Sequence, residues 1–216
     1  MVDDPAVEAI LITMGQHSLV LRAARPTFDE GLACARYLEE AAEGFYTFML
    51  GGRAADLLAT AYVQPNNSYS FENVTFAERD RRIVGMALGF TATQRLHFSE
   101  QPLKEAAGYP TLRVTVVSTL LAPLFRILET MDDGDFYLLA IAIDQDARGQ
   151  GVGSALMEAA EERARACRAA RLTLDVSAKN GGARRLYERR GMAVESQWPK
   201  RLPLPGMKLY RMTKTL

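Results

Sequence analysis

Apolar residues recur every second position in some stretches of the chain and every third or fourth in others, and the switches between these periods outline its elements. LVLRAA, from Leu19 to Ala24, predicts a first strand. Leu32, Ala35, Leu38 and Ala42 then recur at helical spacing while Glu39, Glu40 and Glu43 lie off that stripe. This predicts one helix from about Phe28 to Leu50, stopped by Gly51 and Gly52. ADLLATAYV predicts a second, short helix before the turn-forming QPNNS. Tyr69 to Glu78 and Arg82 to Thr91, joined through ERDRR, read as an antiparallel hairpin. The first arm alternates; IVGMALGF in the second is nearly continuous in its apolarity, as in a central strand covered on both faces.

Residues 93 to 131 mix β-branched residues with helically spaced leucines in TLRVTVVSTLLAPLFRILET. A helix is favoured there, interrupted at Pro123. An insertion of this length reads equally as a core-covering helix, as a lid over a substrate site, or as a surface for a homodimer. Phe136 to Ile143 is a buried strand, followed by a glycine-rich loop and a helix from Ser154 to Ala170 with Leu156, Ala160, Ala164 and Cys167 on one side. Leu172 to Val176 is the next strand and Asn180 to Arg190 the next helix, with Asn180 as N-cap and Gly191 past its end. Two last strands, near Met192 to Gln197 and Lys208 to Lys214, flank the proline-rich WPKRLPLPG. Residues 1–17 show little periodicity and read as an N-terminal extension, in which VEAILITM makes a short helix or strand; residues 18–216 read as one domain.

Composition narrows the classes without naming one. The 216 residues are 48% hydrophobic and 24% charged, an ordinary globular balance, and the net charge is zero. Nothing global therefore points to a nucleic-acid or membrane-surface partner. Cys34 and Cys167, with His17 and His97, show neither metal-ligand spacing nor a disulfide framework, so no metal is expected. The apolar runs are far short of a membrane span, and the chain begins with Asp3 and Asp4 where a signal peptide is basic, so a cytoplasmic location is expected.

Candidate chemistry concentrates in FYLLAIAIDQDARGQGVG, residues 136–153, a strand leading through closely spaced glycines into a helix. Such a loop brings bare backbone N–H groups to the positive end of a helix, which suits a phosphate. A dinucleotide fingerprint would need glycine where Ser154 stands, and a nucleotide-triphosphate loop would need a lysine that is absent here. A plain tight connection between strand and helix stays open at this point.

Arg148-x-x-Gly151-x-Gly153 after a strand ending IAI closely resembles the acetyl-CoA loop of the GNAT superfamily of N-acetyltransferases. LTLDVSAKNGGARRLYERRGM, residues 172–192, is similar to a second motif of that family in placing Asn180, Ala183, Tyr187 and Gly191. Two departures are Met192, where the family usually has an aromatic residue, and Gly181 with Gly182, each of which weakens the helix start by about 1 kcal/mol relative to alanine. The resemblance implies an α/β (α+β) fold, a mixed and mostly antiparallel sheet of about seven strands flanked by helices, with the helical insertion before the central strand. It implies acetyl-CoA as co-substrate, held by the loop residues Gly149, Gln150, Gly151, Val152, Gly153 and Ser154, by Arg148 and Arg184 on phosphates, and by Asn180, Ala183 and Tyr187. It also implies a splayed strand whose amides near Ala142 and Ile143 face the acetyl oxygen.

Acetyl transfer needs a neutral amine, donors for the developing oxyanion and a proton for the leaving thiolate. Tyr187 is the general acid the resemblance implies; a core tyrosine is its bland alternative. Asp175 stands where ribosomal-protein alanine N-acetyltransferases of this superfamily carry a glutamate, so it is a candidate base, with Glu72 and Glu78 as rivals and ordered water as another possibility. Residues 163–190 hold nine basic residues against Asp175 and Glu188, a field suited to a polyphosphate ligand or two solvated helix faces. The expected function is acetyl transfer to a primary amine of a small molecule or protein, and the alternative is a CoA-binding sensor without turnover.

Overall fold

The computed structural model describes residues 10–14, 17–99, 101, 103, 131–199 and 208–216. Its strands are β1 (Ile10–Met14), β2 (His17–Ala23), β3 (Val74–Arg79), β4 (Arg82–Thr91), β5 (Asp135–Ile143), β6 (Arg171–Ser177), β7 (Ala193–Trp198) and β8 (Leu209–Thr215). They form one sheet in the order β1-β2-β3-β4-β5-β6-β8-β7. Every neighbouring pair is antiparallel except β5 with β6. The sheet has one strand more than expected, because Ile10–Met14, within the stretch read as an extension, pairs with β2.

The helices are α1 (Phe28–Ala41), α2 (Phe45–Leu50), α3 (Ala54–Tyr62), α4 (Ala92–His97), α5 (Val152–Ala166) and α6 (Gly181–Arg189). Thr27 caps α1 by accepting from the Glu30 N–H at 3.4 Å. The single helix expected from Phe28 to Leu50 is two, because Glu43 and Gly44 both take positive φ, 52° and 89°, and turn the chain between α1 and α2. The first hairpin arm begins at Val74 instead of Tyr69, since Ser70 accepts from the Glu72 N–H and starts a single 3₁₀ turn, Phe71–Asn73. Asp80 and Arg81, at φ 51° and 62°, make the two-residue hairpin turn whose twist matches the strands. Of the helical insertion expected over 93–131, α4 is seen, opened by a Thr91–Gln94 capping box; residues 100, 102 and 104–130 lie outside the described residues.

Both faces of the sheet are covered. Cys34, Tyr37 and Leu38 of α1 and Leu58 and Tyr62 of α3 pack with Phe76, Met86, Leu88, Phe90 and Tyr137. On the other face Val152, Leu156, Met157 and Ala160 of α5 and Tyr187 of α6 pack with Leu21, Ala87, Leu138, Leu172, Leu174 and Val176. This is why IVGMALGF lacks alternation: Val84 to Phe90 are all buried. Each large side chain enclosed in this way contributes about 1.5–3 kcal/mol.

Candidate active site

The parallel pair β5–β6 stays together for three rungs only, Asp135 with Arg171, Phe136 with Leu172 and Tyr137 with Thr173. Beyond them β5 runs on to Ile143 along β4, and β6 runs on to Ser177 along β8, with no rungs between the two. The result is a fork in the middle of the sheet, open toward the carboxyl ends of both strands.

Strand alternation decides which backbone groups face the fork. Asp144 donates its N–H to Val84 O at 2.9 Å, so residue 144 is bonded to β4. Stepping back by two places Ala142 in the same ladder opposite Met86, while Ile143 and Ile141 direct their N–H and C=O groups away from β4. The oxyanion donors expected near Ala142 and Ile143 are corrected accordingly: the Ala142 amide belongs to the ladder, and Ile141 joins Ile143 in facing the fork. A bulge adds to this. Leu88 faces Ala140 and Gly89 faces Leu138, leaving Leu139 as an extra residue that packs on the same face as Ala140. Composition carries no signal for Leu139 or Ile141, because both belong to an unbroken apolar run.

β5 leads through Asp144, a 3₁₀ turn (Gln145–Ala147) and the glycine loop into α5. Asp144 anchors the start of that loop. Its buried carboxylate accepts from Arg36 of α1 and Arg82 of β4, each at 2.8 Å, and from the Tyr37 hydroxyl at 2.9 Å. These partners hold its pKa below the ordinary carboxylate range against the opposing effect of burial. Gly149 and Gly151 adopt φ of 74° and 84°, which side chains resist, and Gly151 sits at the N-cap with no side chain capping α5. The N–H groups of Val152, Gly153 and Ser154 therefore have no intrahelical acceptor and point out of a helix of 15 residues whose first turn is free of acidic residues. Gly153 sits close to its neighbours: a Cβ there would come within 2.8 Å of Ile143 Cδ1 and 3.1 Å of Leu186 Cδ2, so β5, α5 and α6 meet at the loop. These features fit a phosphate, and they bring the loop residues and α6 together.

Asn180 caps α6 by accepting from the Ala183 N–H at 3.0 Å, and Gly191 ends the helix region at φ 85°. Tyr187 is buried in the α5–α6 core, where burial alone raises its phenol above the ordinary range. The phenol thus keeps its proton through neutral pH. The arginines chosen for phosphate contacts have partners already. Arg148 pairs with Glu40 and donates to Ile143 O at 3.1 Å; Arg184 pairs with Glu188 at 2.8 Å and lies over the Tyr210 ring. Two of the nine basic residues over 163–190 are likewise structural, since Arg190 and Arg165 join Lys214 around the buried Glu161.

Asp175 lies at the base of the fork, but both its oxygens are occupied. Arg211 donates to them at 3.1 and 2.8 Å, and the Tyr137 hydroxyl donates at 2.9 Å. Removing an amine proton would require this carboxylate to give up its partners, so the geometry fits a group that ties β5, β6 and β8 together better than a free base. It borders a recess of about 260 Å³, on the sheet face opposite α5 and α6, that Arg171, Glu195 and Trp198 also line. Glu72 and Glu78 are not brought to the fork. Glu72 accepts from the Asn66 N–H and the Ser70 hydroxyl, Glu78 pairs with Arg22 of β2, and β4 stands between β3 and β5.

Among the described residues there is no group of three or more His, Cys, Asp or Glu side chains that could hold a metal, and no helix is long and apolar enough to cross a membrane.

A splayed strand leading into a glycine loop is what the sequence resemblance implied, and comparison with known proteins shows the family. The chain belongs to the acetyltransferase (GNAT) family, whose sequence pattern matches residues 36–192. No curated protein matches it. The crystal structure of an acetyltransferase is 26% identical, covers 90% of this chain and 98% of its own, and superposes with a TM-score of 0.66. The N-acetyltransferase from Staphylococcus aureus Mu50 shares the fold at 16% identity, over 90% and 99% of the two chains, with a TM-score of 0.67. The NatC complex bound to Gag peptide and CoA shares it at 13% identity, over 92% and 98%, with a TM-score of 0.53.

Proposed function

We propose that this acetyltransferase uses acetyl-CoA and transfers its acetyl group directly to a primary amine of a small molecule or protein. The observation that carries the reading is the fork: β5 leaves β6 after Tyr137, and the strand that opens it ends in the uncapped start of α5. A CoA-bound structure among those sharing the fold supports the choice of thioester. The N–H groups of Val152, Gly153 and Ser154, with Gly149, Gln150 and Gly151, would hold the pyrophosphate. Asn180, Ala183, Arg184 and Arg148 would line its path, Arg148 after releasing Glu40. When bound, acetyl-CoA supplies an activated acyl group.

The Ile141 and Ile143 amides then face the fork as donors for charge developing on the acyl oxygen. The new bond is N–C and the broken one C–S; the amine proton passes to water, the thiolate takes the proton that the Tyr187 phenol retains at neutral pH, and the phenolate recovers a proton from solvent. The acceptor approaches from the recess beside Asp175, on the face opposite α5. Thiol release from acetyl-CoA across a panel of primary amines tests the reading. Amine-dependent release supports it. Stabilisation by CoA with no release for any amine would favour the non-catalytic sensor instead.

A further inference from the structure

The seam between β5 and β6 is stitched by side chains on the face that carries Tyr137, and the last stitch lies beyond the last backbone rung. Asp135 accepts from the Nε of Arg171, its partner in the ladder, at 2.7 Å, and from the Thr173 hydroxyl, two residues further along β6, at 3.1 Å. Tyr137 repeats that diagonal. Paired with Thr173, it donates its hydroxyl to Asp175 Oδ2 at 2.9 Å, a level at which the two strands share no rung.

Asp175 is a firm anchor for this brace. It faces Arg211 directly across the β6–β8 ladder and accepts from Nε and Nη2 of that residue at 3.1 and 2.8 Å. Burial, and next the charge of Asp175, raises the Tyr137 phenol well above its ordinary pKa, so the donor keeps its proton. Leu139, which follows on the same face, has no polar side-chain atom and packs into the apolar cluster instead. On the other face Phe136, Leu138, Leu172 and Leu174 close the seam by packing. Side-chain bonding across the seam therefore ends at Asp175, and the fork opens from there.

The level of that last stitch fixes how deep the fork runs. By register Asp175 stands level with Leu139, two residues below Ile141, the nearer of the two fork-facing amides. At about 3.3 Å per residue, about 7 Å of strand separates the brace from a donor for the acyl oxygen. A two-carbon acyl group fits that depth, and each further methylene presses toward the brace. Resting on the acetyl-CoA reading, we propose that Tyr137 is a positioning residue whose bond to Asp175 sets the depth of the fork and thereby the length of the acyl group accepted.

The test compares acetyl-, propionyl- and butyryl-CoA with one accepted amine in the parent, Tyr137→Phe and Tyr62→Phe. Thiol release gives kcat and KM, and the melting temperature of each protein checks folding. Phenylalanine fills the space of tyrosine and Asp175 keeps Arg211, so Tyr137→Phe leaves no charge unpaired. Tyr62→Phe is the control: it removes another buried phenol of the same apolar cluster, one that bonds Glu30 of α1 at 3.4 Å.

The parent is expected to prefer acetyl-CoA, with kcat/KM falling about tenfold or more for each added methylene. Tyr137→Phe should raise the propionyl-to-acetyl ratio of kcat/KM about fivefold to tenfold, mainly through kcat, while Tyr62→Phe keeps the parent ratio. A ratio unchanged in Tyr137→Phe, or shifted equally in both variants, would overturn the role of Tyr137. So would a parent that turns over butyryl-CoA as fast as acetyl-CoA, whatever the variants do. If the parent releases thiol from no thioester with any amine, the acetyl-CoA reading falls and the role of Tyr137 with it.

Discussion

Tyr187 and Asp175 lie on consecutive elements yet differ in what surrounds them. Burial raises the Tyr187 phenol with no charged group contributing, which leaves a proton to give. Asp175 is held by Arg211 and Tyr137 and has no free oxygen to receive one. Tyr187→Phe should therefore lower kcat about a hundredfold or more with CoA affinity retained, read by thiol release and titration; an unchanged kcat would remove the general acid. Asp175→Asn should lower stability by about 1–3 kcal/mol, read from denaturant unfolding, and leave the shape of the pH–rate profile intact. Loss of the acidic limb of that profile would restore Asp175 as the base. The residues legible from sequence are those whose partners are close by, such as Asn180 capping Ala183. The engagement of Asp175 was hidden, because Tyr137 and Arg211 lie 38 and 36 residues away along the chain.

Elements were readable where a period persists and less so where a local turn competes with it. α3, β4 and α6 follow from pattern and caps, whereas the division between α1 and α2 depends on Glu43 and Gly44 taking left-handed backbone inside an apolar stripe that continues past them. Close helix crossings were also invisible. A Cβ at Gly31 in α1 would come 2.9 Å from Ala59 Cα and 3.0 Å from Ala59 O, backbone atoms of α3 that cannot swing aside. Alanine is worth about 1 kcal/mol over glycine inside a helix, but overpacking costs about 1–3 kcal/mol. Gly31→Ala should then lower the denaturant midpoint with little change in slope, and a raised midpoint would show that α1 and α3 can part freely.

Across the whole molecule, the net charge of zero conceals buried carboxylates that hold the layers together. Glu161 joins α5 to α6 and β8 through Arg190 and Lys214, and Asp144 joins α1 and β4 to the phosphate loop. Both pKa values are depressed in the folded state. Their stabilisation is accordingly present above the ordinary carboxylate pKa near pH ~4 and is lost as pH falls through the lower folded values. Glu161→Gln should flatten the acid side of the stability curve relative to the parent; an equally steep fall would assign acid unfolding to other groups. The same architecture leaves β5 and the start of α5 as the one stretch where a forked strand meets an uncapped helix among the described residues. Hydrogen–deuterium exchange with and without acetyl-CoA tests this most directly. The account predicts slowed exchange in peptides covering 138–143 and 148–154, with β1 and β2 unchanged. Binding that leaves both of those segments unprotected would contradict it.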